Sequence, residues 1–237
     1  MSKLKAIIKK IKIIYVPWHA IRLTLNESKE KKKKKAYIKY GNEALTKICN
    51  IVQDNHFKIA ATEGTLLGLI RDQQLIPWDD DLDFLIIDDG NIDWERLENA
   101  LTHAGFWKYR EKRSQEELLS QAYKYKGVHC DFVKWELGED TIKINYGCYE
   151  YQDKVYLNDV EAEYQVWEME IPSVQEIEFR KIARGNIPVP KNSEEILTAI
   201  YGEWKVPDSK YRPNRVEISK KFKFTYYYKN GKIRKFM

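Results

Sequence analysis

The chain has 237 residues, with 41 Lys/Arg against 36 Asp/Glu, 13% aromatic residues and three cysteines. That length and aromatic content exclude a disordered chain and leave room for one large domain or a domain with appendages. Cys49, Cys130 and Cys148 are odd in number and widely spaced, and the four histidines form no His-x3-His pair, so neither a disulfide scaffold nor a zinc site is expected and a reducing compartment is.

The net charge of +5 hides an asymmetry. Residues 1–35 carry twelve bases and two acids, and the remainder 29 bases and 34 acids. Within the arm, Leu4, Ile7, Ile8, Ile11 and Ile14 recur at helical spacing opposite Lys5, Lys9 and Lys12, with Tyr15 and Trp18 flanking Pro17. A basic amphipathic helix of this kind, over residues 3–25, suits either the interface of an anionic membrane or packing against the body. Lysines interrupt every apolar run well before about 18 residues, so it neither spans a bilayer nor forms a signal-peptide core. The run Lys29–Lys35 is a solvated linker or the start of a helix. It lacks interleaved aromatics and the body is acidic, so nucleic acid is not an expected partner. The chain thus divides into a basic arm (1–35), a body (36–210) and a basic aromatic tail (211–237).

In the body, Leu45, Ile48, Cys49 and Val52 form one stripe of a helix over Tyr37–Gln53, followed by a short strand at Phe57–Ala61. Glu63-Gly64-Thr65 then makes a turn into a helix running to Arg71, with Thr65 near its cap. A glycine-containing turn at a helix N-terminus presents N–H groups suited to a phosphate, and Arg71 carries a fork of donors suited to phosphate oxygens or to a nearby acid. Asp79-Asp80-Asp81-Leu82-Asp83 next packs four carboxylates into five positions, running straight into Phe84-Leu85-Ile86-Ile87. On a strand, Asp81 and Asp83 share one side of the sheet and Leu82, Phe84 and Ile86 the other. Like charges that close repel, a cation relieves them, and carboxylates suit Mg²⁺ or Mn²⁺.

Asp93 or Asn91 caps a helix bearing Trp94, Leu97 and Leu101 and stopped by Gly105. Trp107–Tyr109, Ser120–Tyr125 and Gly127–Trp135 follow as strands. Asp131 lies in the middle of the last, an apolar position costly for an acid unless it is paired or ligated. His129 shares its side, as a structural histidine or as a contact to a nucleotide or a phosphate. Thr141–Tyr151, Lys154–Leu157 and Val166–Ile171 are strand-like and aromatic. Ile187-Pro188-Val189-Pro190 is extended. Asn192 with Glu195 resembles a capping pair before a helix of Ile196, Leu197, Ile200 and Tyr201 that ends at Gly202. Asn230-Gly231 suits the turn of a small hairpin in the tail.

Gly64-Thr65-Leu66-Leu67-Gly68, then Arg71, then Ile76-Pro77-Trp78-Asp79-Asp80-Asp81-Leu82-Asp83 resemble the signature of LicD-type phosphotransferases. These include bacterial phosphocholine transferases and the animal fukutin and fukutin-related proteins. Pro188-Val189-Pro190 and Tyr201-Gly202-Glu203-Trp204 resemble the family's C-terminal signature, so the likeness spans roughly Leu45 to Pro207. It implies an α+β, nucleotidyltransferase-like fold of the DNA polymerase β type, a mixed sheet flanked by helices. It also implies transfer of a phospho-alcohol such as phosphocholine from a CDP-activated donor to a glycan or glycolipid hydroxyl, as in capsule or lipopolysaccharide. Asp131 matches the family's third acid. On this reading Asp81, Asp83 and Asp131 hold Mg²⁺ or Mn²⁺, with Asp79 and Asp80 behind them. Gly64, Thr65 and Arg71 contact phosphates, and Asp131 or Glu63 takes the acceptor's proton. The expected location is cytoplasmic, peripheral on the inner membrane face where the acceptor is lipid-linked. The same acids would also serve a nucleotidyltransferase that moves NMP and releases pyrophosphate, and the arm would also suit an inactive anchored binding module.

Overall fold

The computed structural model describes residues 2–90, 92–114, 117–136, 138, 140–150, 161–174, 176–182, 185–208 and 216–228. The elements in order are α1 (Ser2–Asn55), β1 (Ile59–Ala61), α2 (Glu63–Arg71), β2 (Asp81–Asp88), α3 (Trp94–His103), β3 (Trp107–Ser114), β4 (Glu117–Tyr125), β5 (Val128–Glu136), β6 (Thr141–Glu150), β7 (Glu161–Pro172), β8 (Ile177–Ile182), β9 (Gly185–Pro190), α4 (Ser193–Tyr201) and β10 (Val216–Tyr228). The expected strand at Lys154–Leu157 and the hairpin at Asn230-Gly231 lie outside the described residues.

Eight strands run in the order β1-β2-β5-β4-β3-β10-β7-β6, and β8-β9 forms a separate hairpin. The sheet is mixed: β2 and β5 are parallel, and the neighbouring pairs are antiparallel. Helices flank it, with α1 against β5 and β2, α2 against β2, α3 against β3 and α4 against β7. This is the mixed α+β sheet expected of a nucleotidyltransferase-like fold.

Local chemistry explains the boundaries. Asp93 accepts a hydrogen bond from Arg96 N at 2.8 Å and so starts α3. Lys126 and Gly127, both at positive φ (49° and 92°), make the two-residue turn that pairs Tyr125 with Val128. Asn192 is the N-cap of α4, but its side chain makes no cap; it donates to Ser173 O at 3.0 Å. α2 begins two residues before the expected cap at Thr65, with Thr62 as N-cap. The core joins both sheet partners: Phe84 stacks on Phe132 at 5.2 Å, and Tyr123 meets Phe132 edge-on at 5.7 Å.

Two departures from the sequence expectations matter. α1 runs unbroken across residue 35, where the arm was expected to end. And the segment expected as a tail supplies β10, whose residues 216–223 pair with β7 and 224–228 with β3. Among the described residues no helix is long and apolar enough to cross a membrane.

Candidate functional site: a carboxylate cluster on two parallel strands

Parallel pairing sets Asp83 directly beside Asp131, and Asp81 beside His129. Partners in register share a sheet face, so the three acids converge on one side. One carboxylate oxygen from each of Asp81, Asp83 and Asp131 lies within 4.8 Å of the others, and the same holds for Asp79, Asp80 and Asp81. The opposite parity on β2, Leu82 and Phe84, is fully buried and fixes which side the acids take.

Burial and mutual repulsion act on these acids together. Asp83 is pushed well above the ordinary carboxylate range by burial and then by the charges of Asp81, Glu63, Asp131 and Asp79. Asp81 is raised by burial, against the pull of Lys33. Asp79 is raised to about 6 by burial and by Asp81. Such a set favours an added cation.

The start of α2 is locked to the acid strand. Thr62 N donates to Asp83 O at 3.0 Å, and Asp83 N donates to Thr65 Oγ1 at 2.9 Å. The Thr65 side chain is fully buried, and its hydroxyl holds Asp83 in place. Gly64 is required for a related reason: a Cβ there would collide with Asp79 Oδ2. The Asp79 carboxylate lies beside Gly64 in the first turn of α2 and accepts from Asp80 N at 2.9 Å. Glu63 opens the helix at φ 46°, a left-handed conformation uncommon outside glycine.

Arg71 stands at the other end of α2. Its side chain is 7% exposed and its guanidinium is forked onto Asp72, with Nε to Oδ1 at 2.9 Å and Nη2 to Oδ2 at 2.6 Å. The ion pairs that do reach the cluster come from residues the sequence reading passed over. Lys33 on α1 bonds Asp80 Oδ1 at 2.7 Å and Asp81 Oδ2 at 2.8 Å. Arg110 on β3 reaches Asp131 Oδ1 at 3.1 Å. Beside them, Tyr109 OH lies 3.2 Å from His129 Nδ1, and the Lys124 ammonium sits 4.6 Å from the Tyr109 ring centre and 5.4 Å from that of Trp107. Burial and the nearby Lys124 and Lys33 charges hold His129 down at about 4, so its ring is neutral at pH 7. The pairing of β3, β4 and β5 lines up Trp107, Lys124 and His129 in one row with Asp81, and Arg110, Ala122 and Asp131 in the next with Asp83. Strand alternation could have placed Arg110 on this face; nothing in the sequence joins Lys33 to acids 47 residues away.

The donor set suits a hard divalent cation: three carboxylates from two adjacent strands, with no sulfur and no ligating histidine among them. Two buried hydroxyls nearby point the same way. Tyr37 OH, raised by burial and by the charges of Asp79, Asp81 and Asp83, has no hydrogen-bond partner, and neither has Thr62 Oγ1. Orphaned buried hydroxyls are costly and are commonly answered by water or a bound group.

No curated protein matches the chain. Residues 58–192, more than half of it, match the LicD/FKTN/FKRP nucleotidyltransferase domain, a span that runs from β1 to the N-cap of α4 and holds every acid of the cluster. With that sheet and those acids, the chain belongs to the LicD/FKTN/FKRP nucleotidyltransferase domain family.

Proposed function

We propose that the chain transfers a phospho-alcohol from a CDP-activated donor to a hydroxyl of a glycan or glycolipid, releasing CMP. The single observation that carries this is the in-register pair Asp83 and Asp131 on parallel strands with Asp81 alongside, each offering an oxygen within 4.8 Å of the others. These three residues would hold Mg²⁺ or Mn²⁺, which supplies charge neutralisation at the donor's diphosphate. The chain's own residues do the rest by position. Arg110 and Lys124 put fixed positive charge on the face beside the acids, where the leaving CMP phosphate gathers charge. Tyr109 holds neutral His129 by its ring nitrogen and keeps it available for hydrogen bonding rather than charge. The new bond forms between the acceptor oxygen and the phosphorus of the phospho-alcohol, the bond from that phosphorus to the CMP oxygen breaks, and the hydroxyl proton passes to a carboxylate, Asp131 or Glu63. Arg71 is paired with Asp72 at the far end of α2.

The test is a panel of CDP-alcohols (choline, ribitol, glycerol) with Mg²⁺, scored for CMP release with and without candidate glycans. A second reading, NMP transfer from an NTP, is favoured by the nucleotidyltransferase description of the matched domain. Pyrophosphate release from an NTP, with every CDP-alcohol left intact, would select it over the first.

A further inference from the structure

The acids of the site fall into two overlapping sets, Asp79-Asp80-Asp81 and Asp81-Asp83-Asp131, which share Asp81. The two differ in how they meet the cations around them. In the first, an ammonium already bridges Asp80 Oδ1 and Asp81 Oδ2 at 2.7 and 2.8 Å. We propose that Lys33 is a resident cation of this site: its ammonium holds Asp80 and Asp81 in place of a second divalent ion, so that the chain takes a single such ion, between Asp81, Asp83 and Asp131. The proposal rests on the metal-dependent reading above and adds to it how many ions the site takes and what fills the remaining place.

Lys31, Lys32, Lys34 and Lys35 are exposed, whereas the Lys33 side chain is 19% exposed. Lys33 extends the buried stripe of α1 by one turn: Tyr37, four residues on, is 3% exposed, and Ala44, Leu45, Ile48 and Val52 continue the same face into the core. Gly41 lies on that face too, where an added Cβ would stand 3.1 Å from Leu75 Cδ1. The lysine is therefore delivered by a packed helix, not by a mobile run of charge. An ion entering the first set would have to turn the ammonium away from both carboxylates and then share the space with it, against like-charge repulsion and the cost of a half-buried unpaired lysine. In the second set no cation bridges two of the acids: Lys33 takes one oxygen of Asp81 and Arg110 one oxygen of Asp131. Asp81 Oδ1 and Asp131 Oδ2 are the oxygens outside the Lys33 and Arg110 ion pairs, and Asp83 stands between. Lys33 lies outside the matched residues 58–192, so the family description gives it no role. It acts through Asp81 and is a positioning residue.

The experiment is the count of Mn²⁺ bound per full-length, metal-free chain, read from the free-ion signal by electron paramagnetic resonance. The expected result is one ion for the natural chain and two for both Lys33→Ala and Lys33→Met, the methionine keeping an unbranched side chain of similar length without the charge. Asp83→Asn should lose the ion that the natural chain holds. Two ions in the natural chain, or an unchanged count of one in a folded Lys33→Met, would overturn the role of Lys33 and leave the metal-dependent reading standing. No bound ion in the natural chain would sink that reading itself. Should both lysine variants fail to fold, the count in the natural chain still decides, since two ions there are incompatible with a resident ammonium.

Discussion

Asp83 is where the most physical terms meet: a backbone tied to α2 by two hydrogen bonds, a half-buried carboxyl, and acidic neighbours on three sides. Asp83→Asn should lower turnover at least about 10²-fold, by loss of charge from a site that works by electrostatic placement, while the circular dichroism spectrum stays native. Substantial activity of this variant in excess Mg²⁺ would remove the cluster from the mechanism. Asp79 offers a separate pH test. Its folded value is near 6 and its unfolded value is the ordinary 3.8, so the fold binds that proton more tightly than the open chain does. The charged form therefore weakens the fold above about pH 6, and the penalty fades as pH falls toward the unfolded value. Asp79→Asn should stabilise the metal-free chain by about 1–3 kcal/mol at slightly alkaline pH, with no gain below about pH 4; thermal melts across that range check it. The acid cluster was legible in the sequence because two carboxylates at strand parity beside a wholly apolar face have few stable placements. Its partners were not: Lys33 stands in a run of lysines that composition treats alike, and only the packing of α1 sets it apart. Arg71, attractive beside a glycine turn, proved to be claimed by its neighbour Asp72.

At the scale of elements, α2 and β2 form one unit, and Thr65 is the joint. Thr65→Val keeps the volume and removes the acceptor of the Asp83 N–H, leaving a buried donor unmet. The expected cost is about 1–3 kcal/mol, measured by urea unfolding, together with a weaker grip on Mn²⁺ as the strand end loosens; a stability change without any change in ion affinity would confine Thr65 to folding. The helices and strands of this region were readable from periodicity, and α3 with its Asp93 cap and Gly105 stop came out as expected. What periodicity could not supply was packing: the missing side chain at Gly64 leaves room for the chain's own Asp79 carboxylate, which a Cβ there would strike.

At the scale of the whole molecule, β10 holds the architecture together. It was the least legible part, because alternating basic and aromatic residues after a proline-containing stretch suit an exposed tail as well as a strand. Its pairing partners, β7 and β3, lie some fifty and a hundred residues back, and long-range pairing leaves no local trace. A chain cut after residue 215 should lose the ladder on both sides, and we expect it to melt broadly or to aggregate where the full chain melts in one transition; a truncated form with an unchanged, sharp melt would show that β10 is dispensable. Mechanically β10 is a splice plate: backbone load on either half of the sheet passes into the other through one continuous strand, while the shared core beneath ties the same halves by side-chain packing.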